Sequence, residues 1–169
     1  MAHETSPSGG MTGFDLTTFF AGRTRAWGIF EDRFGTLRRR FTVEMEGHWH
    51  DGVFLLEERF RYDTGDEEVR VWRVTPEAGG RFSATSEDCI GTLQGISRAD
   101  AVDMRYRFRL KLQSLSIAVN FSDRIYRMGA GIAVNRATMS KWGITLGELS
   151  LFFERADEPA RLPLSVAAE

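Results

Sequence analysis

Between residues 24 and 154 apolar and polar side chains alternate with a period of two. Successive residues of an extended strand point to opposite faces, so such a chain must build sheets with one face in a core and one in water. In residues 37 to 45, Leu37, Phe41, Val43 and Met45 are apolar while Arg38, Arg40, Thr42 and Glu44 are polar. Residues 103 to 112 are cleaner still. Met104, Tyr106, Phe108, Leu110 and Leu112 face one way; Asp103, Arg105, Arg107, Arg109 and Lys111 face the other, which makes that charge run a solvated face. Segments at 69–75, 81–86, 89–96, 132–139 and 145–153 complete a set of about ten short strands. A meander of this length, joined by tight turns, hides its edges by closing on itself. The pattern predicts an all-β, antiparallel up-and-down β-barrel of about 8–10 strands.

Inward residues of neighbouring antiparallel strands lie opposite one another, which ties each register to a turn. Met45 opposite Phe54 predicts a loop from His48 to Asp51. Leu112 opposite Ile117 predicts another from Gln113 to Ser116, and sets Leu110 against Val119, Phe108 against Phe121 and Tyr106 against Asp123. Tyr62 opposite Asp66 leaves Asp63, Thr64 and Gly65, with glycine where a type I turn plus G1 bulge needs a positive φ.

The 169 residues suffice for one domain with a real core. With 22 basic and 24 acidic residues the formal charge is -2, which removes the broad positive field needed for nonspecific nucleic-acid binding. Only Lys111 and Lys141 are lysines, and the near-balance of acids makes the arginine excess a matter of composition. A single cysteine, Cys89, rules out an internal disulfide framework. No apolar run approaches the roughly 20 residues of a membrane-spanning helix. Residues 1–12 and 155–169 lack periodicity or carry prolines, so a disordered N-terminal tail and a flexible C-terminal tail are expected around one β-barrel domain at 13–154. One short helical signal stands at residues 15 to 22. Asp15 can cap it, Gly22 can end it, and Leu16, Phe19 and Phe20 can plug a greasy space.

A barrel of this size can hold a ligand, so inward polar residues are the informative ones. The parity of Phe54, Leu56, Phe60 and Tyr62 sends Glu58 inward, and the same register puts Arg70 across from Glu58 and Trp72 across from Leu56. Such a pair either fixes strand register or holds an arginine ready for an anionic head group. Asp123 is a second inward acid, expected to accept a hydrogen bond from a neighbouring strand or from Arg136, and of interest if it shares a cavity with Glu58.

Other chemistry is thin. His48 and His50 could grip a metal only with a third ligand from Asp51 or another chain, so no metal is expected. Cys89 has no helix N-terminus or histidine to lower its pKa and reads as an inert buried thiol. Neither a nucleophile elbow nor a phosphate-cradling loop is present. Trp27, Trp72, Trp142 and the 13 phenylalanines are expected mostly in the core.

The strings Phe19-Phe-Ala-Gly22, Phe30-Glu-Asp-Arg-Phe-Gly35, Glu58-Arg-Phe-Arg-Tyr62, Arg70-Val-Trp72, Asp88-Cys-Ile-Gly-Thr-Leu-Gln-Gly95, Asp123-Arg-Ile-Tyr126 and Asn135-Arg-Ala-Thr-Met-Ser-Lys-Trp-Gly143 resemble the bacterial domain-of-unknown-function 3833 family. The resemblance covers the chain from about residue 19 to 153, and the run from 135 to 143 is the most specific. The resemblance implies a calycin-like barrel related in shape to lipocalins and fatty-acid-binding proteins, with no established activity. Its repeated positions fall on Glu58, Tyr62, Arg70, Trp72, Asp88, Gly91, Asp123, Asn135, Lys141 and Gly143. Many relatives look like N-terminally anchored lipoproteins. This chain has neither a charged-then-apolar leader nor a lipidation cysteine near its start, so a cytoplasmic location is expected, or a periplasmic or envelope one if the N-terminus is incomplete.

The expected function is binding of a small hydrophobic or amphipathic molecule, anionic and lipid-like in one version, by Glu58, Tyr62, Arg70, Trp72, Tyr106, Asp123 and Asn135, with no cofactor. Two alternatives differ in class. One is a filled barrel that scaffolds envelope partners, with weak membrane-surface contact through stripes such as Arg105, Arg107 and Arg109. The other is an enzyme using Glu58 or Asp123 as acid or base.

Overall fold

The computed structural model describes residues 13–112 and 114–157; the expected tail at 1–12, most of the one at 155–169, Gln113 and the side chain of Leu112 lie outside the described residues. Ten strands follow a short helix: β1 (Gly22–Asp32), β2 (Leu37–His50), β3 (Val53–Tyr62), β4 (Glu67–Pro76), β5 (Arg81–Thr85), β6 (Cys89–Ser97), β7 (Ala101–Leu112), β8 (Leu115–Gly129), β9 (Ile132–Lys141) and β10 (Ile144–Arg155). Each strand pairs antiparallel with its chain neighbours, and β1 also pairs with β10, Thr24 opposite Arg155 through Asp32 opposite Gly147. The sheet is a closed all-β barrel, as the alternation predicted, and closure leaves no free edge.

Parity sorts the faces well. Phe41, Val43 and Met45 are buried between exposed neighbours, Phe108 likewise, and Met104 is buried between half-buried Asp103 and exposed Arg105. Leu37 departs from its predicted inward position. It sits opposite Glu31 beyond a register shift at Phe30, at the end of the barrel, and is exposed.

Two of the three predicted registers need correction. Met45 lies opposite Glu58, not Phe54, and the strands run on to His50 opposite Val53. The turn is therefore only Asp51 and Gly52, with φ of 48° and 77°, the two left-handed residues of a type I′ hairpin. In the β7–β8 hairpin Leu112 lies opposite Leu115, Leu110 opposite Ile117, Phe108 opposite Val119 and Tyr106 opposite Phe121, while Asp123 faces Met104. Both slips are even in residue number, so every side chain keeps its face. The third register holds: Tyr62 N donates to Asp66 O, and Gly65 has a φ of 87°.

The helix α1 (Leu16–Phe19) closes one end of the barrel. Asp15 caps it by accepting from Thr18 N at 3.0 Å, and Gly22 belongs to β1 rather than to the helix end. Phe14, Phe19, Phe20 and Phe153 form a chain of edge-to-face rings with centroids 4.9 to 5.2 Å apart. Arg155 Nη1 donates to the carbonyls of Thr18 and Phe19, tying the helix to the last strand. A Cβ on Gly47 would lie 2.1 Å from Phe20 O, so the plug docks where the wall has no side chain.

The tryptophans correct another expectation. Trp72 is buried, but Trp27, Trp49 and Trp142 are exposed. Trp27 has outward parity on β1, and Trp142 occupies a two-residue turn at a φ of 51°.

Candidate functional site

The barrel encloses a cavity of about 130 Å³, bounded at the plugged end by Leu16 and Phe20. Its wall is mostly apolar, and into it project Glu58 from β3, Arg70 and Trp72 from β4, Tyr106 from β7, Asp123 from β8 and Asn135 from β9. Six of the seven residues singled out in the sequence therefore share one interior. The seventh, Tyr62, sits nearer the end of the barrel opposite α1, where its hydroxyl donates to Glu68 at 3.0 Å and its ring stacks on Phe60.

Glu58 and Arg70 are direct cross-strand partners, as the hairpin register predicted. Arg70 Nη1 lies 3.7 Å from Glu58 Oε2, and Nη2 donates to Glu68 Oε1 at 2.8 Å. Trp72 Nε1 donates to Glu58 at 3.3 Å. The guanidinium also lies against Phe60 and Phe108, 4.8 and 4.3 Å from the ring centroids, a cation-π arrangement that stabilises a desolvated charge. Arg70 thus has two carboxylates and two aromatic faces around it, and its Nε is buried without a partner. Burial works against its charge, but Glu58 and Glu68 more than compensate and raise its pKa. Burial pushes Glu58 up despite Arg70 and Trp72.

The second acid sits across the lumen. Tyr106 donates to Asp123 Oδ2 at 3.1 Å, a diagonal contact, since Tyr106 is two residues from the position opposite Asp123. Burial pushes the Asp123 pKa up to about 7, although Tyr106 and Asn135 favour the ionised form; the Glu58 charge raises it further and Arg70 lowers it. Burial and the Asp123 charge drive the Tyr106 phenol well above its usual value. Asp123 Oδ1 and Asn135 Oδ1 are buried without partners, so the pair has unused acceptor capacity. Arg136 is not a partner of Asp123. It has outward parity and pairs with Glu148 on β10.

Glu68 escaped the sequence reading, although its even number puts it on the face of Arg70 and Trp72; the alternation was the available signal. The remaining family positions are structural at this level. Asp88 pairs with Lys111 at 3.1 Å, and Lys141 donates to Ala118 O. His48 and His50 lie exposed, and among the described residues no group of three His, Cys, Asp or Glu is placed to hold a metal. Cys89 is half-buried with its pKa raised by burial.

Fold and site together define an up-and-down antiparallel barrel around an apolar cavity with a few convergent polar groups. The sequence profile described as "Protein of unknown function (DUF3833)" matches residues 5–155, and the chain belongs to that family. Among solved structures, a protein of the DUF3598 family from Nostoc punctiforme has the same fold, with a TM-score of 0.64 at 12% identity. The match covers 85% of this chain and 50% of that one, so this chain spans about half its length. The S-type phycobiliprotein lyase CPES from Guillardia theta matches with a TM-score of 0.61 at 8% identity, over 86% of this chain and 92% of that one. No functionally curated protein matches significantly in sequence.

Proposed function

We propose that the protein binds a compact, largely apolar molecule inside the barrel, with its polar end at Glu58, Arg70 and Asp123 and its body along Trp72 and Tyr106. Asn135 and, nearer the end opposite α1, Tyr62 complete the set. The carrying observation is an apolar-walled cavity into which Glu58, Arg70 and Asp123 converge. At about 130 Å³ the void is close to the engineered cavity of about 150 Å³ that admits benzene. The occupant is therefore of single-ring size, or is the head of a longer amphipathic molecule whose tail displaces side chains. An anionic head reaches Arg70 by displacing Glu68, whose side chain is 38% exposed and in swinging outward gives up its bonds from Arg70 and Tyr62. Likeness in shape to a phycobiliprotein lyase agrees with a small-molecule role at the level of fold alone.

Native mass spectrometry of the protein purified from its own host tests this. A defined bound mass, lost in Arg70→Ala, is the expected result. Absence of any bound mass, or occupancy unchanged in Arg70→Ala and Glu58→Gln, overturns it.

A second reading has its own observation. A carboxyl poised near pH 7 beside a void can exchange a proton with whatever occupies that void. As an enzyme, the protein would lose turnover in Asp123→Asn while keeping its thermal stability. The void itself weighs against a filled scaffold.

A further inference from the structure

The end of the barrel opposite α1 carries five turns of two kinds. The β1–β2, β9–β10 and β7–β8 turns are neighbours around this rim, because β1 pairs with β10 and β9 with β8. Phe34 and Trp142 stand on the first two and Leu115 opens β8 at the third, 77%, 86% and 68% exposed, with Leu37 and Ile144 exposed beside them. Three consecutive apolar tips make a continuous arc rather than scattered surface residues. Folding does not call for Trp142. Its φ of 51° favours asparagine or glycine, yet the largest apolar side chain occupies it.

Cations flank these tips. The Arg33 guanidinium lies 4.7 Å from the Phe34 ring centroid and Lys141 Nζ 4.7 Å from a Trp142 ring, while Arg38, Arg39 and Lys111 belong to the same strand ends. The acids of this arc are Glu31 and Asp32, and Asp32 is held by Arg38 at 2.6 Å. The remaining two turns, β3–β4 and β5–β6, are acidic, with Asp63, Asp66, Glu67, Glu87 and Asp88. Asp88 reaches back to Lys111 at the border. The rim is split into an apolar-cationic arc and an acidic one.

We propose that the apolar-cationic arc docks the protein on an anionic lipid bilayer, with Phe34, Trp142 and Leu115 inserted at headgroup depth and the acidic arc turned to water. Tryptophan and phenylalanine with adjacent lysine and arginine are the groups that partition into this interface. The positive arc also disfavours a second copy packing on it face to face, since like charges would meet. Among the described residues no helix is long and apolar enough to cross a membrane, so contact here is through turns.

The test is co-sedimentation of the full chain with vesicles of phosphatidylcholine, with and without phosphatidylglycerol. Binding is expected only with phosphatidylglycerol and falls as salt rises. Phe34→Ser with Trp142→Asn, the latter suited to its turn, lowers it about tenfold; Arg33→Glu with Lys141→Glu abolishes it, and Asp66→Asn leaves it intact. Equal binding by the folded Phe34→Ser/Trp142→Asn variant overturns the proposal. So does light scattering that shows a dimer dispersed by that variant without vesicle binding. The vesicle readout needs no cavity ligand, so this proposal and the carrier reading fail separately.

Discussion

Asp123 is where burial and hydrogen bonding oppose each other most directly, and its titration should be visible in stability. Its pKa rises from an ordinary 3.8 to about 7 on folding. Between those values the folded state keeps a proton that the unfolded state has released, so stability falls as pH rises through this window and levels off above it. At 1.36 kcal/mol per unit the loss is at most roughly 4 kcal/mol. Urea unfolding at about pH 5 and about pH 8 should show the protein weaker at the higher pH, and Asp123→Asn should reduce the difference. Glu58, also raised by burial, contributes a slope of the same sign. Asp32, Asp103 and Asp157 are held low by arginine and backbone partners, so their contributions are lost only at more acid pH. Parallel profiles for the two proteins between those pH values would mean that Asp123 is already ionised. Tyr106→Phe removes the donor to Oδ2, and carbon-13 NMR of the carboxyl should then find its pKa higher by about one unit.

Among the elements, the strands were legible because burial on one face writes a two-residue period. The hairpin lengths were less so. Asp51-Gly52 is a strong type I′ signal, but His48, Trp49 and His50 break the alternation and read as loop. They form strand by pairing with Leu55, Phe54 and Val53 of β3; all three are exposed on β2, so no buried face marks them there, although Phe54 opposite Trp49 lies in the core. The Glu58–Arg70 pairing was readable from the Asp63–Gly65 turn alone. The contact of Arg70 on β4 with Phe108 on β7 was not, since it crosses the lumen and depends on how the barrel closes. The plug was foreseen from Leu16, Phe19 and Phe20, and its seat can be tested. A Cβ at Gly47 meets the Phe20 carbonyl at 2.1 Å, backbone that cannot move aside cheaply. Gly47→Ala should cost roughly 2–3 kcal/mol by dislodging α1, and Phe20→Ala about 3–5 kcal/mol through lost packing. Calorimetric melting of Gly47→Ala at the parent temperature would show that the helix is not seated on this wall.

At the scale of the whole barrel, stability depends on the weakest seam, because opening any one ladder converts a closed wall into a sheet with two edges. The β1–β10 and β1–β2 ladders pair nine and ten residues, whereas β4–β5 and β5–β6 pair four each. β6 adds a register shift between Ile90 and Gln94, so β5 has little support on either side. Local opening follows the number of ladder bonds and contacts that must break together. Amides of Ser83 and Ala84 should therefore exchange with deuterium at least about tenfold faster than those of Val43 and Val119, which lie in long ladders. Thr75 and Ser83 are direct partners across the seam. Pairing cysteines at Thr75→Cys and Ser83→Cys should slow β5 exchange once oxidised and leave β1 and β10 unchanged. If β1 or β10 slows as much as β5, the barrel opens as a unit and seam length does not govern its motion.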